Sequence, residues 1–403
     1  MFTSAAANYL PKVRVLFDSL TEHHPEWRQH LLLVEDWSDD QCNELGLAAE
    51  IIQPKDLGIP NWRQWSFCHD LIELCTAVKP YMLGKLMARE DCDAVLYFDP
   101  DIMLFSRLDD LIATFSEASI LLTPHQVRPE SSIEGVISQE ISSLKHGIYN
   151  LGFLGVKADE EGERFANWWG RRLYHFCRDD IPNGLFTDQR WIDFVPAFFE
   201  SAGILRSTRF NVASWNMTTR SITRGPDGNA QVDGEPLGFY HFTGLDSGNH
   251  DLQMLKYAGD ANVVSELLGR YQAEVSQYEN MASGRDWSFS RFEDGTLIDK
   301  RWRAWYRNEP ESKKIVPDPW LDSRNFVQLP DNKLAQSNRS LVATEFDDED
   351  PSLRPGAFLL ALKKSIRKPR VVRDLISHVW RIWRTEGFIG LRRRLAAFQK
   401  SHD

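Results

Sequence analysis

The sequence has few cysteines, and no two of them form a C-x-x-C pair. Five occur in 403 residues, and this odd number favours reduced thiols in a cytoplasmic chain over a disulfide framework. No stretch approaches roughly eighteen uninterrupted apolar residues, so no transmembrane helix is expected. Residues 1–7 lack a basic start and a long apolar core, so no signal peptide is expected either.

Positive charge is scarce outside the C-terminal end of the chain. The net charge is −11. Residues 352–403 contain thirteen Lys or Arg against three Asp or Glu, a net of +10, so the preceding 351 residues carry −21. An acidic body argues against nucleic acid as its partner, whereas a basic tail suits an anionic surface such as a membrane.

Strand and helix patterns alternate along the first 250 residues. Short apolar runs between turn formers predict strands, and apolar residues at helical spacing predict helices. The predicted strands lie within 1–10, 31–36, 51–52, 94–98, 118–123, 147–156 and 238–244. The predicted helices are 9–20, 62–89 with a break at Pro80, 160–177 and 188–196. This order predicts an α/β fold with a mainly parallel sheet flanked by helices.

Different patterns follow residue 250. We predict that 1–250 form the main domain, that 251–330 complete it, that 331–356 are an acidic linker and that 357–403 are a basic amphipathic helical tail. Basic amphipathic helices that contain Trp can lie in a membrane interface. Packing of the tail on the acidic body is the alternative.

Two carboxylates follow the predicted strand 94–98. Asp99 and Asp101, separated by Pro100, would lie at the carboxyl end of that strand, the edge at which ligands bind in open α/β sheets. Two hard oxygen ligands suit a divalent cation, and a cation held by so few carboxylates usually carries substrate phosphates. A solvated turn at the end of a strand is the alternative reading.

Other residues of the first 250 could complete such a site. His241, at the end of a late predicted strand, is the candidate third metal ligand. Lys79 could supply a cation for phosphates or sugar hydroxyls. Asn150, Asp188 and Gln189 are polar groups able to hold a sugar. Each of these residues taken alone is more often structural or solvated.

The order of these motifs resembles that of the GT-A fold nucleotide-sugar glycosyltransferases, especially retaining enzymes of the glycogenin and bacterial galactosyltransferase type. The matching stretches are 3–20, 31–36, 76–80, 97–101, 149–153, 188–189 and 241–244. The resemblance implies a GT-A, Rossmann-like fold and a donor that is a nucleotide-diphosphate sugar. It also implies Mn²⁺ or Mg²⁺ bound by Asp99, Asp101 and His241.

The resemblance implies roles for the remaining residues as well. Asn150, Asp188 and Gln189 would act at the reacting centre by holding donor hydroxyls near the anomeric carbon. Lys79 would contact the donor's phosphate or sugar. The residues expected to face the nucleoside are Thr3, Ser4, Asn8 and Tyr9. Trp215 and Asn216, in a polar and aromatic loop, would shape the acceptor side.

One stretch departs from the family pattern. The family continues after its histidine with a Gly and then a Lys-Pro-Trp that reaches the diphosphate, but here Gly244 is followed by Leu-Asp-Ser-Gly-Asn-His. Either another cation replaces that lysine or the metal neutralises the leaving group more completely. The resemblance favours retention of configuration. Inversion would need a carboxylate base, for which Asp188 and Asp193 are the candidates.

Taken together, the sequence predicts a cytoplasmic, metal-dependent glycosyltransferase that moves a sugar to a glycan or lipid-linked acceptor in bacterial surface polysaccharide assembly. Residues 357–403 would hold it at the inner face of the cell membrane. A nucleotidyltransferase is one alternative, but residues 4–8 lack the Gly-rich phosphate loop typical of that class. A non-catalytic carbohydrate-binding or scaffold protein on the same fold is the other.

Overall fold

The structure is a computed structural model. It describes residues 1–245, 261–282, 284, 286–309, 311–329 and 334. The chain divides into two units, Met1–Leu341 and Val342–Asp403, and the second lies outside the described residues. The predicted linker (331–356, apart from Leu334) and the predicted tail (357–403) also lie outside them.

The strands are short. They are β1 (Phe2–Ala5), β2 (His30–Leu33), β3 (Glu50–Ile52), β4 (Ala94–Phe98), β5 (Ile102–Leu104), β6 (Ile120–Pro124), β7 (Tyr149–Lys157), β8 (Asp179–Asp180), β9 (Leu185–Phe186), β10 (Ala202–Ile204), β11 (Ile222–Arg224), β12 (Ala230–Val232), β13 (Glu235–Pro236) and β14 (Phe239–His241).

Helices of varied length separate them. They are α1 (Leu10–His23), α2 (Asp39–Asn43), α3 (Trp62–Phe67), α4 (Leu71–Ala77), α5 (Lys79–Met87), α6 (Asp109–Ala113), α7 (Ile133–Gly135), α8 (Ile141–His146), α9 (Glu160–Phe176), α10 (Val195–Phe198), α11 (Ala261–Ser276), α12 (Lys300–Asn308), α13 (Ser312–Ile315) and α14 (Arg324–Val327). A π-helical turn, Val136–Glu140, joins α7 to α8. The 3-10 turns are Ala7–Tyr9, Pro54–Leu57, Thr114–Ser116, Ile181–Asn183, Arg190–Phe194, Ser214–Asn216 and Glu279–Met281.

A seven-stranded sheet forms the centre, in the order β10-β6-β7-β4-β1-β2-β3. All neighbouring pairs are parallel except those of β7, which runs antiparallel to both β4 and β6. The predicted α/β class with a mainly parallel sheet is therefore confirmed. Because β1 and β4 are parallel neighbours, their carboxyl ends meet at one edge of the sheet.

The sheet is buried on both faces, since alternate residues of its strands enter two different apolar clusters. Leu32 and Tyr97 pack in the cluster that also contains buried residues of α5 and α9. Leu31 and Leu96 pack in the one formed with α1. Burial on both faces explains why the strands read as nearly continuous apolar runs.

The helical region 62–89 differs from the prediction of two helices broken at Pro80. Three helices form instead, and Pro80 occupies the first turn of α5, where its missing N–H leaves no hydrogen bond unmade. The earlier break precedes Asp70, whose side chain accepts a hydrogen bond from the Glu73 amide at 2.9 Å and caps α4.

Residues 286–329 add an aromatic cluster to the face covered by α5 and α9. The ring centroid of Phe67 lies 5.1 Å from that of Phe326 and 5.2 Å from that of Trp320. Arg303 donates hydrogen bonds to the carbonyl oxygens of Phe67 at 3.1 Å and His69 at 2.9 Å. This segment is thus part of the same compact unit as the sheet.

Two predictions from the sequence, reduced cysteines and no transmembrane helix, can be compared with this fold. All five cysteines are unpaired, as a chain without a disulfide framework requires. Within the described residues, no helix combines the length and apolar character needed to cross a membrane.

Candidate active site

A cavity of about 520 Å³ opens at the carboxyl ends of β1 and β4, within the roughly 300–1,000 Å³ usual for small-molecule sites. It collects nearly all of the residues that the sequence singled out. The predicted residues that line it are Ser4, Asn8, Tyr9, Lys79, Asp99, Asp101, Asn150, Asp188, Gln189, Trp215 and His241.

Asp99, Asp101 and His241 converge although 140 residues separate the last two in the sequence. The carboxylates lie in the turn between β4 and β5. Strand β14 pairs antiparallel with β5 and places His241 opposite Ile102, directly beside Asp101. The His241 Nε2 atom lies 3.0 Å from Asp101 Oδ1 and 3.6 Å from Asp99 Oδ2.

These three side chains fit a divalent cation. One ligand atom from each lies within 4.8 Å of the others. Two carboxylate oxygens and an imidazole nitrogen are a donor set that suits Mn²⁺ and also accepts Mg²⁺. The turn at the end of β4 is therefore more than a solvated loop, because its two aspartates lie beside a buried histidine in the cavity wall.

Asp101 and His241 form a buried ion pair. Burial alone would raise the pKa of Asp101, but the His241 ring lowers it overall. Burial alone would lower the pKa of His241, but the Asp101 carboxylate raises it overall. The imidazolium is thus one of the positive charges that balance the two aspartates.

Lys79 supplies a second positive charge at the cavity floor. Its Nζ atom lies 2.9 Å from Asp188 Oδ2 and 3.5 Å from Asp99 Oδ1. Burial alone would lower the pKa of Lys79, but the carboxylates of Asp188 and Asp99 raise it. The ammonium also lies 4.2 Å from the ring centroid of Tyr97, and the Tyr97 hydroxyl donates a hydrogen bond to Asp99.

Asn150 and Gln189 are engaged with the protein itself. The Gln189 Oε1 atom accepts hydrogen bonds from the Leu151 amide at 2.9 Å and from Asn150 Nδ2 at 3.3 Å. Gln189 Nε2 donates to the His146 carbonyl at 3.0 Å. Both amides thus lie in the cavity wall and are held in place by its backbone.

Two of the predicted site residues, Thr3 and Asn216, lie outside the cavity wall. Side chains alternate across β1, so Ser4 faces the cavity and donates to the Cys75 carbonyl at 2.7 Å, while Thr3 is fully buried and outside the cavity wall. Asn216 is also fully buried behind the wall, where Nδ2 donates to the carbonyl oxygens of Asn211 at 2.9 Å and His125 at 3.3 Å.

Several functional candidates were missed by sequence reasoning. Gly152 lies against the His241 ring, and Asn211 contacts Asn150. Lys12, in the first turn of α1, has its Nζ atom 4.3 Å from the ring centroid of Tyr9 and helps to lower the pKa of Asp101 after the larger effects of burial and His241. The available signal for Lys12 was its position three residues after Tyr9 at the start of a predicted helix.

Sequence comparisons give relatives without an assigned activity. No protein-family profile matches the chain. The uncharacterized protein YfnF of Bacillus subtilis (strain 168) is 26% identical over 178 residues, which are 43% of this chain and 57% of that protein. YfnD of the same organism, also uncharacterized, is 24% identical over 249 residues, 60% of this chain and 76% of that protein. The chain thus spans little more than half the length of YfnF.

Structural comparisons give glycosyltransferases. The galactosyltransferase LgtC, solved with donor and acceptor sugar analogues, has 17% identity and a TM-score of 0.38, with 70% of this chain and 99% of that chain covered. Mouse xyloside xylosyltransferase 1 has 13% identity and a TM-score of 0.37, with 60% of this chain and 97% of that chain covered. The glycosyltransferase GlyE of Streptococcus pneumoniae TIGR4 has 12% identity and a TM-score of 0.39, with 72% of this chain and 66% of that chain covered. Because these TM-scores are all below 0.5, a function has to be supported by the geometry of the cavity and not by the structural similarities.

Proposed function

We propose that this protein is a metal-dependent glycosyltransferase. It transfers a sugar from a nucleotide-diphosphate donor to a glycan or lipid-linked acceptor, with retention of anomeric configuration. A lipid-linked acceptor and a basic tail would both suit a cytoplasmic enzyme that works at the inner face of the membrane. Such an enzyme would take part in bacterial surface polysaccharide assembly.

One observation supports the proposal above the others. Ligand atoms of Asp99, Asp101 and His241 meet in the wall of a 520 Å³ cavity at the carboxyl edge of the sheet. Since an open α/β sheet binds its ligands at that edge, a diphosphate held there would lie against the three ligands. The turn at Asn8 and Tyr9 lines the same cavity and leaves space for the nucleoside.

The chemistry follows from where charge develops. When the bond between the anomeric carbon and the diphosphate oxygen breaks, negative charge grows on the diphosphate and positive charge on the sugar ring. A bound divalent cation stabilises the diphosphate as a Lewis acid and orients it. Asp99, Asp101 and His241 would hold that cation, and the Lys79 ammonium adds a fixed positive charge beside the reacting centre.

The positions of two carboxylates support retention. Both carboxylate oxygens of Asp188 are engaged within the protein, Oδ2 by the Lys79 ammonium at 2.9 Å and Oδ1 by the Thr187 hydroxyl at 3.1 Å. Asp193 lies outside the cavity wall, where it accepts from the Ile148 amide at 2.8 Å and pairs with Arg190 at 2.8 Å. Neither of the two candidate bases is placed to deprotonate an acceptor hydroxyl as an inverting reaction requires.

A screen of nucleotide sugars tests the proposal. Thermal stabilisation and donor hydrolysis would be measured with and without Mn²⁺, and the anomer of the product would be read by NMR. We expect at least one nucleotide sugar to respond only with metal, and Asp101→Asn to remove the response. A nucleotide sugar that responds equally without metal would contradict the proposal. Stabilisation without hydrolysis would then favour a non-catalytic binding protein. Release of pyrophosphate from a nucleoside triphosphate would favour a nucleotidyltransferase.

The membrane part of the proposal needs its own test. Sedimentation with anionic liposomes would be compared for the full chain and for a truncation ending near residue 350. We expect the full chain to sediment and the truncated chain to stay in solution. Equal sedimentation of both would exclude residues 357–403 as the anchor.

A further inference from the structure

The amide of Asn150 links His241 to a residue deeper in the protein. Three donors surround its Oδ1 atom: the Gly152 backbone amide at 3.0 Å, Asn211 Nδ2 at 3.0 Å and His241 Nδ1 at 3.2 Å. Such a convergence uses up the lone pairs of one carbonyl oxygen. Asn150 therefore joins Asn211 to the histidine of the metal-ligand cluster.

The direction of each hydrogen bond follows from the backbone. The Gly152 amide can only donate, so the Asn150 atom that faces it must be the carbonyl oxygen. The same oxygen faces His241 Nδ1, which must therefore carry a hydrogen. In the neutral ring this leaves the lone pair on Nε2, the atom that lies beside Asp101 and Asp99.

Asn211 is held in a conformation that is costly for an ordinary residue. It is fully buried, with a left-handed φ of 50°, a region that few residues other than Gly, Asn and Asp adopt. Its Nδ2 donates to Asn150 and, at 3.2 Å, to Thr123 Oγ1. Its Oδ1 has no hydrogen-bond partner among the described residues. The orientation of the Asn211 amide is therefore set by the two hydrogen bonds that Nδ2 donates. Strained and incompletely paired buried residues of this kind concentrate at functional sites.

We propose that Asn211 is a positioning residue for metal binding. Through Asn150 it holds the His241 ring in the orientation and tautomer that present Nε2, together with Asp99 and Asp101, to a divalent cation. Partners of this kind behind a metal-bound histidine set its tautomer and the affinity of the site. The inference rests on the metal-binding part of the proposed function and adds a residue that does not line the cavity.

The tautomer can be read without substrate. Long-range ¹H–¹⁵N NMR of the protein with Mg²⁺, a diamagnetic cation that the three ligands also accept, distinguishes a protonated Nδ1 from a protonated Nε2. We expect His241 to carry its hydrogen on Nδ1. A hydrogen on Nε2 in the unmodified protein would overturn the inference without any variant.

Asn211→Asp is the sharpest substitution, because Asp tolerates the left-handed φ but replaces the donor with a carboxylate oxygen. That oxygen would repel Asn150 Oδ1, so the Asn150 side chain must move away or turn and lose its hydrogen bond from Gly152. In either case His241 Nδ1 loses the acceptor that holds it. We expect Mn²⁺ affinity, measured by titration of the protein without donor, to fall by about 10- to 100-fold. Asn211→Gly keeps the backbone conformation and only removes the donor, so its loss should be smaller. If the Asp variant fails to fold, the Gly variant and the spectrum of the unmodified protein decide.

Asn308→Asp serves as the matched control, since Asn308 is buried in α12 and is not among the residues that line the cavity. It should lower stability but leave both Mn²⁺ affinity and the His241 spectrum unchanged. Mn²⁺ affinity within twofold of the unmodified protein in Asn211→Asp, with the same tautomer, would overturn the inference. If tautomer and affinity change as expected but no nucleotide sugar reacts, the proposed function fails and the positioning role stands.

Discussion

Lys79 and Asp188 form an ion pair in a nearly dry environment. Their Nζ and Oδ2 atoms are 2.9 Å apart, and the two side chains are only 5% and 3% exposed. A buried charge is tolerated when its partner is in place, and becomes costly when the partner is removed. This pair joins the start of α5 to the loop after β9. Because both residues line the cavity, the pair contributes to the stability of the protein and to the floor of the cavity.

Removing one partner should destabilise the protein more than removing both. We expect Lys79→Met to lower the free energy of unfolding by about 3–5 kcal/mol, because Asp188 is left buried and unpaired. Lys79→Met combined with Asp188→Asn should cost less than the sum of the single changes. Urea unfolding without metal measures all three. Lys314→Ala, which breaks an exposed pair with Glu311, should change stability by less than about 1 kcal/mol. Additive losses for the buried pair would show that the two charges do not depend on each other.

The sequence was sufficient to locate most of the strands that build the site, but not β5, which pairs with β14 and was not among the predicted strands. The strands β4 and β7 lie within one or two residues of their predicted bounds, because continuous apolar runs are the signature of strands buried on both faces. The direction of β7 could not be read in the same way. It depends on pairing with β4 and β6, and a strand's own side-chain pattern is the same in either direction.

The limits of prediction within the site have a similar cause. Asp99 and Asp101 are recognisable because they lie two residues apart in the sequence and are chemically distinctive. Asn211 and Gly152 act through contacts with residues far away in the chain. A single Asn or Gly in a loop or strand carries no local sign of such a contact, so the sequence alone could not separate them from ordinary turn and strand residues.

Acid should destabilise the fold through His69. This side chain is 2% exposed, its Nδ1 faces the Trp65 carbonyl at 2.9 Å, and burial, with a contribution from Arg307, lowers its pKa to about 3. The unfolded chain takes up the proton near pH 6.5 and the folded protein does not, so stability is complete above that value and falls as the pH decreases toward 3. At pH 5 we expect a loss of about 2 kcal/mol from this residue.

Urea unfolding of the unmodified protein and of His69→Gln over this pH range measures that loss. The variant should be less stable near neutral pH, because a packed ring is lost. The difference between the two proteins should shrink by about 2 kcal/mol between pH 7 and pH 5. Parallel curves over that interval would show that the ring is protonated equally in the folded and unfolded chains.

Gly152 should be required for the geometry of the metal ligands. A Cβ atom at this position would overlap the His241 ring and lie 2.7 Å from Asn150 Oδ1. We expect Gly152→Ala to abolish or strongly weaken Mn²⁺ binding in a titration and to lower stability by about 1–3 kcal/mol.

Gly84→Ala is the control, since Gly84 lies inside α5 and a Cβ there meets nothing within 4 Å. It should leave Mn²⁺ binding unchanged and stabilise the helix by about 0.5–1 kcal/mol. Normal Mn²⁺ binding by Gly152→Ala would mean that His241 is not a ligand in the position seen here.

Lys12 should replace the lysine that is missing after Gly244. It lies in the first turn of α1, over the Tyr9 ring at 4.3 Å, and its charge reaches Asp101. An ammonium in this position can approach a diphosphate bound at the three metal ligands. We expect Lys12→Gln to weaken binding of a nucleoside diphosphate by about tenfold, or ~1.4 kcal/mol, since one charged hydrogen bond is lost.

The matched control is Arg14→Gln, on the same helix. Arg14 loses the same charge, but it pairs with Asp18 at 3.0 Å and donates to the Gly46 carbonyl at 3.3 Å. Calorimetric titration with the diphosphate and Mn²⁺ would compare both variants, and we expect only Lys12→Gln to weaken binding. Its effect should also decrease as the salt concentration rises, because screening weakens a charge–charge contact at a partly exposed site. Equal losses in the two variants would indicate a general effect of net charge, and the metal would then be the group that neutralises the departing diphosphate.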